Sequence, residues 1–201
     1  MTKYKLTDET IEFEGKTLYR IELTEDCGWG KAGTKGGFIQ SVDNLTGDAW
    51  VGGEAKVYGE AKVYGEAQVS GNAKVSGKVY GNAKVYGNAW VSGNAWVCGY
   101  AWVSGNAKVY GNALVYGNAW VYGDALVYGN ACVYGNALVL DNAKVLDNAW
   151  VFGEAKVLDN ALVFGEAKVY GEAKVYDNAK VYGNAHVYGN AWVCGEAKVI
   201  K

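Results

Sequence analysis

An all-β fold, a triangular parallel β-solenoid, is predicted by three features of one repeat. Valine recurs 26 times from Val51 to Val199, every sixth residue apart from a four-residue step between Val75 and Val79. Alanine stands two residues before valine in 25 of the 26 units, Gly77 being the exception. Gly-Asn or Gly-Glu closes most units, as in Ala83-Lys84-Val85-Tyr86-Gly87-Asn88. Repetition this strict marks a solenoid, because one unit cannot bury its apolar face alone and must stack on its neighbours.

On an extended strand the alanine and valine side chains share one side, and the residue between them points to the other. The interior is then alanine and valine alone. Glycine accepts positive φ and asparagine tolerates left-handed geometry, so a corner follows each strand. Three six-residue sides close an 18-residue coil. Residues 49–201 make about eight to nine such coils, stacked roughly 4.8 Å apart into a rod on the order of 40 Å long.

Residues 1–48 lack the repeat and form an N-terminal β cap. Thr10 to Glu14 and Lys16 to Leu23 alternate polar with apolar residues around Glu14-Gly15-Lys16, the pattern of a β-hairpin. A glycine-rich loop from Cys27 to Gly37 leads into a short strand at Phe38-Ile39. The cap is expected to cover the open core and unpaired edge of the first coil. The far end carries no cap, so another subunit, a partner, or the charges of Lys198 and Lys201 are expected there.

Composition narrows the functional classes. The chain has 201 residues, 29 glycines, no proline and a net charge of -2, which suits one soluble unit. No apolar run reaches membrane length and the opening residues lack a signal-peptide core, so a cytoplasmic protein is expected with no membrane partner. Cys27, Cys98, Cys132 and Cys194 contain no Cys-x-x-Cys pair, which argues for reduced thiols and against zinc. The repeat region balances 13 lysines against 12 acidic residues, which speaks against nucleic acid as a partner. The glycine loop lacks the Gly-Lys-Ser/Thr of a phosphate-binding loop.

The outward position carries the chain's individuality. Sorted by 18, one face reads Lys78, Trp96, Leu114, Cys132, Trp150, Lys168, His186, and the second Lys84, Trp102, Trp120, Leu138, Lys156, Lys174, Trp192. The third, beginning at Trp90, alternates lysine with apolar residues. Two faces thus carry apolar stripes in mid-rod between lysine-rich ends, and such patches mark interfaces. Self-association into a homo-oligomer, dimer or trimer, is expected through Trp96, Trp102, Leu114, Trp120, Leu138 and Trp150. Residues after valine, such as Tyr116, Tyr134 and Phe152, should stack in columns, and corner asparagines such as Asn118 and Asn136 should form ladders. Asp141, Asp159 and Asp177 replace the corner glycine at 18-residue spacing. Their stacked carboxylates are candidates for a cation such as calcium, or are present because aspartate tolerates the corner geometry; the latter is preferred, and no metal is expected.

Met1-Thr2-Lys3-Tyr4-Lys5-Leu6, Thr17-Leu18-Tyr19-Arg20-Ile21, Gly33-Thr34-Lys35-Gly36-Gly37-Phe38-Ile39 and Asn44-Leu45-Thr46-Gly47-Asp48-Ala49-Trp50-Val51 resemble the YdcK-like hexapeptide-repeat proteins of bacteria and bacteriophages. The resemblance implies a left-handed parallel β-helix. Relatives are commonly labelled acetyltransferases, since similar homotrimeric enzymes use acetyl-CoA with a histidine as general base in a cleft beside a projecting loop. The one histidine here, His186, lies at an ordinary outward position, and no insertion interrupts the hexads, so no coenzyme pocket is expected. Fold alone does not assign that activity. The expected function is a non-catalytic scaffold without cofactor, a phage or prophage product that engages a host protein; the alternative is an acetyl-CoA-dependent acyltransferase.

Overall fold

The structure, a computed structural model, describes residues 3–201. Met1 and Thr2, at the head of the opening segment, lie outside the described residues. Each hexad forms a short strand in which the outward residue and the valine pair in parallel with their counterparts one coil on, as Trp96 and Val97 do with Leu114 and Val115. The strands build three sheets, one per face, of eight, nine and twelve strands. The molecule is therefore a three-faced parallel β-solenoid, and the columns obtained by counting in eighteens are the real columns of its faces.

The interior is alanine and valine at essentially zero exposure from Ala55 to Val181. The four-residue step is absorbed inside one coil. Val63, Val69 and Val75 pair with Val79, Val85 and Val91, a spacing of 16 in place of 18, while the ladder continues. The amides of Ser76 and Gly77 both donate to the Val91 carbonyl, at 2.8 and 3.2 Å. Gly77 stands where alanine should because a Cβ there would lie 2.7 Å from the Ala95 carbonyl oxygen.

The ladder begins before Ala49. Ile39 pairs with Val57 and Leu45 bridges to Val63, so Ile39, Leu45 and Val51 form the inward side of a first coil. The six-residue spacing of these three is present in the sequence, but Gly37 and Asp43 replace the alanines and hide the motif. At Gly37 a Cβ would meet the Ala55 carbonyl oxygen at 2.6 Å. Asn44, buried beside Leu45, donates to the carbonyls of Gly59 and Ala61 and so fastens this coil to the next.

The hairpin consists of β1 (Tyr4–Phe13) and β2 (Lys16–Leu23), joined through Glu14 and Gly15, both at positive φ. Strand β1 thus starts six residues earlier than the expected Thr10, and Glu14 belongs to the turn. A register shift between Leu6 and Thr10 accommodates the polar Thr7-Asp8-Glu9 run that masked the alternation. Strand β3 (Lys35–Ile39) pairs antiparallel with β2 and parallel with Lys56-Val57. The cap is therefore an antiparallel extension of the third face, which pairs that face's first parallel strand and moves the free edge out to β1.

Ile21 and Tyr4 join the core cluster and close the N-terminal mouth of the rod. The Tyr4 hydroxyl donates to the Leu45 carbonyl at 2.7 Å. Burial, helped by the charge of Asp43, pushes its pKa up to about 12. An acid whose neutral form is favoured in the folded chain contributes stability below its unfolded value near 10, and loses it as pH rises towards 12. The cap of the wild type should weaken between pH 10 and 12 by on the order of 2 kcal/mol relative to Tyr4→Phe. Amide exchange of β1 and β2 in both proteins at pH 9 and 11.5 measures this; equal pH sensitivity would refute it.

Candidate functional site

The outward tryptophans are held in place by neighbours along the rod. The rings of Trp102 and Trp120 stack with centroids 5.0 Å apart and nearly parallel. Lys78 and Lys84 place their ammonium groups 4.8 and 4.9 Å from the ring centroids of Trp96 and Trp102. Lys168 does the same to Trp150 at 5.1 Å, so the lysines at the ends of the stripes are cation–π caps. Trp96, Trp120 and Trp150 are 39, 46 and 41% exposed, whereas Trp102, Leu114 and Leu138 are half-buried.

The two stripes share one corner of the prism. There Tyr116, Tyr134 and Phe152 stack with parallel rings at 4.8 and 4.9 Å, and Phe152 continues to Tyr170 at 4.9 Å. Burial within this column raises the pKa of both Tyr116 and Tyr134, so these phenols stay neutral and their rings behave as apolar surface. Trp96, Leu114, Cys132 and Trp150 lie on one side of the corner and Trp102, Trp120 and Leu138 on the other. Tyr134 also meets Trp150 edge-on at 6.3 Å, so the first stripe and the corner column form one aromatic surface, while the exposed Asn118 and Asn136 stand between it and the second stripe. Beside it runs the Asn118–Asn136 ladder bond, 3.1 Å long, and the longer chain Asn94–Asn112–Asn130–Asn148 occupies another corner.

The aspartate column is explained by backbone geometry. Asp141, Asp159 and Asp177 adopt φ of 59, 56 and 59°, the conformation that glycine supplies elsewhere. The Asp159 carboxylate accepts the Asp177 amide at 3.1 Å, and that of Asp177 accepts the Gly195 amide at 2.9 Å. Asp147, which the eighteen-residue count placed in no column, does the same to Gly165 on a second corner. These carboxylate oxygens tie one coil to the next. Among the described residues, no group of three or more His, Cys, Asp or Glu side chains is placed to hold a metal ion. The four cysteines are free thiols, and burial raises the pKa of Cys132.

A cleft exists where the sequence suggested none. The glycine-rich loop folds back over the second face, held by the Trp29 indole N–H donating to the Asp48 carbonyl at 2.8 Å; an ion pair between Lys3 and Asp48 lies at its margin. Beneath it opens a space of about 540 Å³, lined from the loop by Cys27, Gly28 and Trp29 and from the rod by Glu66, Gln68, Asn82, Lys84, Tyr100 and Trp102. The expectation of no pocket rested on the absence of an insertion between hexads. The loop that builds the wall lies upstream of them.

His186 is not part of this cleft. It is exposed on the first face, edge-on to Tyr170 at 6.1 Å, beside a shallower depression with Trp150, Glu166 and Lys168. It is five coils beyond Trp96, about 24 Å along the rod. Among the described residues, no helix is long and apolar enough to cross a membrane.

The YdcK β-solenoid repeat family matches residues 78–93, 83–99, 107–123 and 179–195. No curated protein matches the chain. The four matched segments fall within the hexads whose stacking is described above, and together with the fold they support a solenoid built of YdcK-like β-solenoid repeats.

Proposed function

We propose that this protein is a non-catalytic binding scaffold of the cytoplasm that self-associates through the band around the Tyr116–Tyr134–Phe152 corner. The observation that carries this reading is the density of apolar surface about one corner: two tryptophan stripes flanking a stacked aromatic column, with only uncharged asparagines between and no charged side chain on either stripe from Trp96 to Trp150. Large aromatic side chains at the centre of a patch dominate association energetics, and a charged rim of lysines sets where the contact ends. The rings are already stacked before any partner arrives, so little side-chain entropy is lost on association.

Sedimentation of the wild type and of a Trp96→Lys, Trp120→Lys, Trp150→Lys variant tests the proposal. The wild type is expected at a multiple of its 21.5 kDa chain mass, and the variant at the mass of one chain. A monomeric wild type, or a variant of unchanged mass, removes self-association. A monomeric wild type that captured a host protein through these tryptophans would give the band a different occupant.

A further inference from the structure

We propose that the cleft under the glycine-rich loop is a binding site for a neutral carbohydrate of one or two sugar rings. The repeat is strict enough that its departures can be located, and two of them converge here. Tyr100 occupies the corner position that every other complete hexad fills with Asn, Asp or Glu, and Gln68 is the one glutamine at an outward position. Both line the cleft. Neither is required by the solenoid, which places Asn or Glu and Lys or Trp at the equivalent positions without disturbing the ladder.

Tyr100 has a second effect. Asn82 stacks directly beneath it, with the Asn82 backbone amide bonded to Gly99. The side-chain amide of Asn82 therefore lacks the asparagine partner one coil on that Asn88 finds in Asn106, and it faces the cleft unengaged by that ladder. The Tyr100 ring itself is 62% exposed, and Trp29 presents a second ring from the loop.

The charge balance identifies the ligand class. Lys3 is committed to Asp48, and Lys84 and Glu66 cancel, so the lining has no net charge. An anion such as phosphate would meet carboxylates, and a cation would meet ammonium groups. Two primary amides and a carboxylate supply both donors and acceptors, which is what a ring of hydroxyl groups requires. The indole and phenol rings offer apolar faces with a polar handle, suited to the C–H faces of a sugar. The volume lies within the usual range for small-molecule sites, about 300–1,000 Å³. Mutual backbone bonds between Cys27 and Gly30, at 2.9 and 3.1 Å, hold the loop in shape before a ligand arrives, which lowers the ordering cost of binding.

The test uses the full chain and two substitutions that restore the repeat, Tyr100→Asn and Gln68→Lys, which should fold as well as the parent. Saturation-transfer NMR is recorded with cellobiose, maltose, lactose and N,N′-diacetylchitobiose. The expected result is transfer to at least one sugar, with affinity at least about tenfold weaker in the double variant and an unchanged melting midpoint. The double variant should also keep the wild-type sedimentation mass, which separates this site from the self-association band. Absence of transfer from all four sugars overturns the carbohydrate assignment. Transfer that persists undiminished in the double variant overturns the cleft as its location, and inorganic phosphate competing for the same residues overturns the neutral class.

Discussion

Gly105→Val should lower the guanidinium midpoint of the rod more than any surface substitution, by an amount equivalent to about 3 kcal/mol. Gly105 sits at φ +70°, and a Cβ there would stand 2.9 Å from both the amide nitrogen and the carbonyl oxygen of Gly123. Two costs combine. A β-branched residue is a true outlier in the left-handed region, and the added methyls press against the backbone of the next corner. The same corner carries the Asn106 amide to the Gly123 carbonyl at 2.8 Å, so moving it apart also stretches a rung of the ladder. The chain contains its own control, because Asp141, Asp159 and Asp177 hold this conformation further along the same column. Gly105→Asp should therefore cost only about 1 kcal/mol. Equal midpoints for the Val and Asp variants would show that corner geometry does not limit stability.

Arg20→Ala should release the cap while leaving the rod intact. Its guanidinium, 13% exposed, donates to Glu9 at 2.6 Å, to the Gly36 and Gly53 carbonyls at 2.8 and 3.3 Å, and to Glu54 at 3.1 Å. It also lies 4.1 Å from the centroid of the Phe38 ring. One planar group thus joins β1, β2, β3 and the Gly53-Glu54 corner that follows Val51. Glu9 and Glu54 are themselves well exposed, so the ion pairs contribute little. The larger share comes from the carbonyl hydrogen bonds, whose acceptors lose a charged donor, and from the covered aromatic face. The expected loss is about 3 kcal/mol. Stability in a solenoid is a sum of units and nearest-neighbour interfaces, so the loss should stay local. Amide exchange at Leu18 and Phe38 is expected to accelerate roughly a hundredfold, while amides beyond Val115 keep their protection. Arg20→Lys should recover only a minor part, since an ammonium cannot reproduce the planar fork. Exchange that accelerates uniformly along the rod would disprove the local clamp.

How much of this was legible beforehand depended on what sets each feature. The coil, its 18-residue register, the inward Ala-Val pair, the Tyr116–Tyr134–Phe152 stack and the Asn118–Asn136 rung all follow from contacts between equivalent positions of adjacent repeats. A period in the chain is a period in space, so counting was enough. The aspartate column was placed correctly by the same counting, but its role needed the φ angles and the amides that its oxygens accept. Asp147 escaped notice because it stands alone in its column.

Other features could be decided only in three dimensions. The first coil at Ile39 and Leu45 keeps the spacing but loses its alanine at position 37, where the Ala55 carbonyl and the Val51 side chain leave room only for glycine. The start of β1 at Tyr4 depends on a register shift that polar residues conceal. The cleft depends on residues 27–29 meeting residues 66–102, a contact between a non-repeating loop and a repeating face that no periodicity announces. The sequence by itself determined the rod, because each coil is held by copies of the same short-range contacts. The tertiary structure alone decided where the loop closes over that rod, because an indole hydrogen bond from Trp29 to the Asp48 carbonyl, between a non-repeating and a repeating segment, places it there.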